Sequence, residues 1–314
     1  MDISVIIVSW NAKRYLRECL ESLTQTPSLL TLEVIVVDNA STDGSPEMVA
    51  AEFPEVRLIR NDQNLGFARA NNIGISQSTG RYVSLINSDV VVQPNCLDLL
   101  VKYMDEHPLV GLTGPKILNG DRTLQSSCRE FPSLWNNFCE ASGLFRLFPG
   151  SSFFSTEHML CFPHDRVIDC DVLVGCFWMM RREALETVGL LDEDFFIYAE
   201  DLDWCRRCWN AGWHVNLFPE AQAVHYRAAS SANDPARFAI ERQRAVLHYW
   251  EKYHTWAGRF GIRAILLGGY FLRYLLSVLS RQVQSAAGKE NDKRLLLSRA
   301  CMEALLSGGS ARKA

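Results

Sequence analysis

The stretch "ISVIIVSWN", Ile3 to Asn11, decides the fold. Ile3 to Ser9 is a nearly continuous β-branched run, the composition of a strand buried on both faces of a parallel sheet. It is short, has no positive region before it and runs into Asn11, so it reads as a first strand and not as a signal peptide. A helix follows, because Tyr15, Leu16, Cys19, Leu20 and Leu23 recur at three- and four-residue spacing with Arg14, Arg17, Glu18 and Glu21 on the other face. The same alternation continues down the chain. Strands are predicted at Leu32 to Asp38, Val56 to Arg60, Tyr82 to Ile86 and Val110 to Thr113. Helices are predicted from Ser45-Pro46, read as N-cap and first helical residue, to about Phe53, from Phe67 to Ser78, and from Pro94 to about Glu106.

This rhythm implies an α/β fold with a mostly parallel, doubly wound sheet, and such sheets bind ligands at the carboxyl ends of their strands. That rule singles out Ser9 and Asn11 after the first strand, Asp38, Asn39 and Asp43 after the second, and Asn87, Ser88 and Asp89 after the fourth. The segment from Leu118 to about Asp169 mixes Phe, Trp, Pro, Ser and Cys without period and reads as a long excursion over the sheet. Its side chains, with those around Trp178, are expected to decide what the strand-end site accepts. Trp213 to Tyr226 reads as a strand, a polar turn and a second short strand that leaves His225 at an end.

Composition narrows the function. The chain has 314 residues and is 48% apolar, enough for one large α/β domain with an appendage. The net charge of −4 hides an asymmetry: from Trp256 onward ten Lys/Arg face three Asp/Glu, leaving 22 basic against 33 acidic residues before it. A basic tail suits anionic lipid or an acidic partner, and no nucleic-acid motif occurs in the main body. The ten cysteines are scattered, which fits a reducing cytosol, and the close pair Cys205 and Cys208 lacks the second pair a zinc site needs. The loop after the first strand reads "SWNAKR" where a dinucleotide-binding enzyme would carry G-x-G-x-x-G, and neither a P-loop nor G-x-S-x-G is present.

Five blocks then act together: "VSWNAKRYLRECLESL" (Val8 to Leu23), "VVDNASTDGS" (Val36 to Ser45), "NLGFARANNIGI" (Asn64 to Ile75), "LINSDVVV" (Leu85 to Val92) and "VGLLDEDFFIYAEDLDWCRRCWNAGWHV" (Val188 to Val215). In this order and spacing the chain resembles the family-2 inverting glycosyltransferases, in the bacterial rhamnosyltransferase-like branch. The resemblance implies a GT-A (Rossmann-like) fold over residues 1–227, with a nucleotide-binding half (1–114), an acceptor and catalytic half (115–227), and a helical C-terminal extension over 228–314. It also implies a UDP- or dTDP-sugar donor and a divalent cation, Mg²⁺ or Mn²⁺. By that resemblance Asp38 accepts the imide N–H of the base; its alternative is a turn-capping residue. Asn64, Gly66, Arg69 and Asn72 line the nucleotide pocket, Arg69 meeting either a phosphate or a surface acid. Asp89 stands at the last position of the family's D-x-D element, although the first is Asn87, and binds the cation with His225, whose alternative is structural.

The same likeness makes Asp201 the general base that takes the acceptor hydroxyl's proton, and Glu200 its acceptor-side or orienting partner. Without it, "EDLDW" (Glu200 to Trp204) reads as an acidic first helical turn, with Asp203 pairing to Arg206 or Arg207. The implied activity is transfer of a sugar, rhamnose by branch, to a polysaccharide or polyprenyl-diphosphate acceptor at the cytoplasmic membrane face. The rival is a scaffold that kept the fold and lost turnover, favoured by Asn87. Phe260 to Arg281 has no charge-free stretch longer than nine residues and reads either as a membrane-interfacial amphipathic helix, with Arg263, Arg273 and Arg281 reaching headgroups, or as an ordinary packing helix.

Overall fold

A computed structural model of the protein describes residues 1–24, 28–151, 153–154, 159, 162–227, 235–283 and 288–306. Its contacts group the chain into two units, the first comprising Met1–Glu130, Phe162–Phe196 and Glu200–Asn233, the second Phe131–Cys161, Ile197–Ala199 and Asp234–Ala314.

Unit 1 opens with β1 (Ile3–Ser9), α1 (Lys13–Thr24), β2 (Leu32–Asp38), α2 (Ser45–Glu52), β3 (Arg57–Arg60), α3 (Phe67–Ser76) and β4 (Tyr82–Ile86), the alternation read from the sequence. It continues through β5 (Val90–Val92), α4 (Cys96–Glu106), β6 (Val110–Leu118), β7 (Leu124–Gln125) and β8 (Cys128–Arg129). Unit 2 takes α5 (Leu134–Ser142) and α6 (Leu144–Leu147) from the middle of the chain. The chain returns to unit 1 with β9 (Ile168–Asp169), β10 (Val172–Leu173), β11 (Phe177–Arg181), α7 (Arg182–Val188), α8 (Glu200–Asn210) and β12 (His214–His225). Unit 2 closes with α9 (Pro235–Tyr253), α10 (Trp256–Val283) and α11 (Gly288–Leu306).

Among the described residues one sheet runs β3-β2-β1-β4-β11-β6-β12-β5. β3, β2, β1 and β4 are parallel neighbours, β11 runs antiparallel between β4 and β6, and β5 is an antiparallel edge on β12. The β-branched run of β1 is buried because both faces are covered. Ile3, Val5 and Ile7 join Leu16, Leu20 and Leu23 of α1 in the core. On the other face a Cβ at Gly74 of α3 would stand 2.5 Å from the Ile6 side chain, so the missing side chain lets helix and strand close up.

Several local expectations change. α2 is capped by Gly44 at φ +80°, not by Ser45, whose hydroxyl turns to the Asp43 carboxylate. α4 starts at Cys96 behind an N-cap Asn95 in the left-handed region, two residues after Pro94. Residues 214–225 form one strand, and the polar turn expected inside it is a register shift against β6 between Phe218 and Gln222. The excursion carries β7, β8, α5 and α6, because its aromatic residues build helix faces in unit 2. Trp178 belongs to the core: it is buried, donates to the Leu173 carbonyl at 2.9 Å and tilts against Trp204.

Candidate active site

The carboxyl ends of β1 and β2 meet in register, Ser9 beside Asp38. Both are buried. Asp38 accepts the Ser41 N–H on Oδ2 at 2.9 Å, while its Oδ1 and the Ser9 hydroxyl have no hydrogen-bond partner. Leaving a buried carboxylate oxygen unpaired costs on the order of 1–3 kcal/mol or more, so this strand end is built to receive a donor.

Around that pair, other polar residues build the walls. Asn39 donates to the Gly66 carbonyl at 3.0 Å and accepts from Asn61 at 2.9 Å. Asn11, at φ +50°, accepts the Thr42 N–H at 2.7 Å and holds the two loops together. Asp43 takes the Lys13 N–H on one oxygen and the Ser45 N–H on the other, so it serves the starts of α1 and α2. Burial opposes its charge, but the hydrogen bonds from Ser45 and Lys13 prevail and hold its carboxyl below the usual range. Asn64 accepts the Gly66 N–H at 3.0 Å. Gly66 has φ +84°, and a Cβ there would collide with the Phe196 carbonyl, which in turn accepts the Phe67 N–H at 2.6 Å. Asn72 clamps the loop before α8, donating to Leu191 at 2.9 Å and to Glu193 at 3.0 Å. Arg69, expected at a phosphate or a surface acid, faces the acid: it pairs with Glu193 at 3.8 Å, and both are half exposed.

The β4–β5 turn supplies the second centre. Ser88 and Asp89 are buried, and Asn87 is half-buried with its N–H donating to the Cys176 carbonyl at 3.0 Å. His225, at the end of β12, sets Nε2 at 3.2 Å from Asp89 Oδ1 and Nδ1 at 2.7 Å from the Gln125 amide oxygen. Gln125 also donates to the His225 carbonyl at 3.1 Å, so one side chain holds both the ring and the backbone of His225. Burial works against the imidazolium, but Cys176 and Asp89 outweigh it and push His225 up to about 10. Asp89 and His225 together offer a carboxylate oxygen and, once Nε2 gives up its proton, an imidazole nitrogen to a divalent cation.

The third centre is α8. Tyr198 and Ala199 both have left-handed φ, and the chain then enters the helix at Glu200. Glu200 is buried with Oε2 unpartnered, and burial first, then the Asp201 charge, raises its carboxyl well above the usual glutamate range. Asp201 is half-buried, accepting the Leu202 N–H at 2.9 Å and the Gly175 N–H at 3.3 Å. Asp203 pairs with Arg207 at 2.8 Å, one of the two partners expected. Cys205 and Cys208 lie on the buried side of α8, where burial raises both thiols.

Sequence reasoning missed the connecting pieces. The Gly175-Cys176 loop touches Asp201 through one N–H and Asn87 through one carbonyl, so it ties the α8 centre to the β4–β5 turn. Arg227, at φ +55°, stands within electrostatic reach of Cys176 and Arg129. Burial first, relieved by Cys176, and then the Arg129 charge lower the Arg227 guanidinium. Neither arginine lies in a recognisable motif; their joint position on β8 and after β12 exists only in the fold.

Comparison with known proteins agrees with this layout. The pattern of Glycosyl transferase family 2 matches residues 4–189. The N-acetylglucosaminyl-diphospho-decaprenol L-rhamnosyltransferase of Mycobacterium tuberculosis is 30% identical over 294 residues, 88% of this chain and 93% of its own. Among solved structures, the mannosyltransferase PcManGT of Pyrobaculum calidifontis, in complex with GDP-Man and Mn²⁺, superposes with a TM-score of 0.57 at 18% identity, covering 99% of this chain and 88% of that one. S. aureus TarS 1–349 gives a TM-score of 0.53 at 17% identity over 98% of this chain and 83% of its own. The fold is the GT-A-like mixed sheet flanked by helices, and with its pattern matched across more than half its length the chain belongs to glycosyl transferase family 2.

Proposed function

We propose that this glycosyltransferase is a metal-dependent inverting enzyme that moves a sugar, rhamnose by analogy with the mycobacterial relative, from a dTDP- or UDP-donor to a polyprenyl-diphosphate-linked acceptor. The observation that carries the reading is the unpartnered Asp38 Oδ1 beside the unpartnered Ser9 hydroxyl at the head of the sheet. An acceptor-only carboxylate matches the imide N–H of uracil or thymine. Arg129 and Arg227 suit the diphosphate, and Asp89 with His225 would hold Mg²⁺ or Mn²⁺, which supplies charge neutralisation for the leaving diphosphate.

Asp201 is the base in this reading. Its partial exposure and its two backbone N–H contacts hold the carboxylate at the rim, oriented to take the acceptor hydroxyl's proton as that oxygen attacks the anomeric carbon opposite the diphosphate. Glu200, whose carboxyl is raised by burial first and then by the Asp201 charge, orients in this reading. Asn64, Gly66, Asn72, Asn39 and Asp43 position the pocket wall.

A lipid-linked acceptor calls for work at the cytoplasmic face of a membrane, and the surface of unit 2 supports that reading. Trp256–Leu279 of α10 is long and apolar enough to cross a bilayer, with a mean hydropathy of 1.5. One face of α10 is nevertheless packed, with Ile262, Tyr270 and Ser277 buried, while Phe260, Phe271, Leu275, Leu276 and Leu279 are exposed. A second exposed aromatic group, Trp135, Phe138, Phe148 and Phe153, lies around α5 and α6. A helix with one packed face and Arg263 and Arg273 along its length suits the interface better than the bilayer interior. The Arg281 side chain lies outside the described residues.

The test is calorimetric titration with UDP, dTDP, GDP and NAD, each with and without Mn²⁺. The expected result is Mn²⁺-dependent binding of UDP or dTDP that weakens roughly 10–100-fold in Asp38→Ala, the loss of one charge-assisted hydrogen bond. Absence of binding to all four would transfer support to the scaffold reading that Asn87 favours.

A further inference from the structure

Unit 2 contains a cleft between α5, α9 and α10 with about 460 Å³ of free space, part of it open to solvent. Glu140, Arg242, Gln243, Tyr270 and Arg273 line it. Gln243 is only 5% exposed; its Nε2 donates to the Tyr270 hydroxyl at 2.7 Å, and its Oε1 has no partner. The Tyr270 hydroxyl is also hydrogen-bonded to the Cys301 thiol, so its proton has a place away from Gln243. Turning the amide over would only exchange an unpaired carbonyl for an unpaired NH₂, and a buried amide with one idle end calls for a ligand. Arg242 pairs with Glu140 at 2.8 Å, and the Arg273 guanidinium stands 5.3 Å from the centre of the Tyr270 ring.

We propose that this cleft binds a phosphate ester that also carries hydroxyl groups. Arg242 and Arg273 take the phosphoryl oxygens, and Gln243 Oε1 and the Glu140 carboxylate accept from the hydroxyls. Two guanidinium charges against one carboxylate leave a single positive charge, matched to the single negative charge of a phosphodiester. A glycerol-bearing phospholipid headgroup has this chemistry, and so has a soluble polyol phosphate. The headgroup is the occupant the fold favours, because the cleft residue Arg273 of α10 is itself exposed and is flanked in the helix by the exposed Phe271, Leu272 and Leu275. The proposal rests on the interfacial reading of α10 for that choice of source, and not on the identity of the sugar donor.

The experiment uses the full chain. Glycerophosphoglycerol, the soluble headgroup of phosphatidylglycerol, is titrated calorimetrically, and flotation compares phosphatidylglycerol with phosphatidylcholine vesicles. The wild type should bind the soluble headgroup, and Arg242→Gln/Arg273→Gln should weaken it by at least about tenfold while Mn²⁺-dependent nucleotide binding is retained. If the double variant misfolds through loss of the Arg242–Glu140 pair, Arg273→Gln alone carries the test. A parallel loss of preference for phosphatidylglycerol vesicles assigns the lipid as source. Headgroup binding without vesicle binding assigns a soluble ester and removes the interfacial reading. No headgroup binding by the wild type, or vesicle binding unchanged in the variants, overturns the cleft while leaving the active-site reading intact.

Discussion

Glu200 and Asp201 are neighbours in the chain and opposites in environment. Asp201 holds two backbone N–H contacts at the rim, while Glu200 is buried with an unpartnered oxygen. Asp201→Asn keeps the shape and removes the proton acceptor, so transfer should fall by roughly 10²–10⁴-fold in a single-turnover assay while UDP or dTDP binding is retained. Retained turnover would move the base elsewhere. Glu200 gives a separate signature in stability. Its folded-state affinity for a proton exceeds that of the unfolded chain, so the native state binds more protons and stability falls as pH rises from about 4.5 upward. Glu200→Gln should flatten that decline, measured by urea unfolding at pH 5 and pH 8. An unchanged slope would mean that Glu200 ionises freely. The tandem "ED" is visible in the sequence, but the separation of the two carboxyls by burial is not, because both lie in the same helical turn and only the packing around α8 distinguishes them.

At the scale of elements, the pocket depends on loops locked to backbone atoms. Gly66 sits at φ +84° against the Phe196 carbonyl, and Phe67 donates to that same oxygen, so the start of α3 is pinned to the segment before α8. Gly66→Ala combines a disfavoured φ with a collision against main chain, and should cost about 1–3 kcal/mol of stability and weaken nucleotide binding. Thermal unfolding with and without UDP would read both effects, and an unchanged Tm would show that the loop yields. Periodicity made β1, α1, β2, α3 and β4 legible. The cap of α2 and the continuity of β12 were not, since Ser45 and the residues around Glu220 carry ordinary turn chemistry and the choice fell to the Asp43 carboxylate and to the β6 partner strand.

For the whole molecule, the two units carry different surfaces. Unit 1 holds the strand-end site, and unit 2 presents exposed apolar residues on α10 and around α5 and α6. Replacing Phe271, Leu275 and Leu279 by Ser removes three exposed side chains, each contributing about 1.5–3 kcal/mol when buried in an apolar phase. Vesicle binding by the full chain should fall by more than about tenfold with nucleotide binding unchanged. Equal binding would place the membrane contact elsewhere or remove it.

The sequence by itself determined the alternation of strand and helix, the polar residues at strand ends and the order of the five blocks, because these depend on local periodicity and on residue types needed at fixed spacing. Only the tertiary structure decided that Asp38 and Ser9 keep idle buried atoms, that Gln125 holds His225, that Arg227 comes within electrostatic reach of Arg129 and Cys176, and that Asp43, Asn39 and Asn72 brace their loops. Each of these joins residues that are distant in the chain, or weighs one donor against another for the same oxygen, and such competition is settled by packing and desolvation after the sheet has formed.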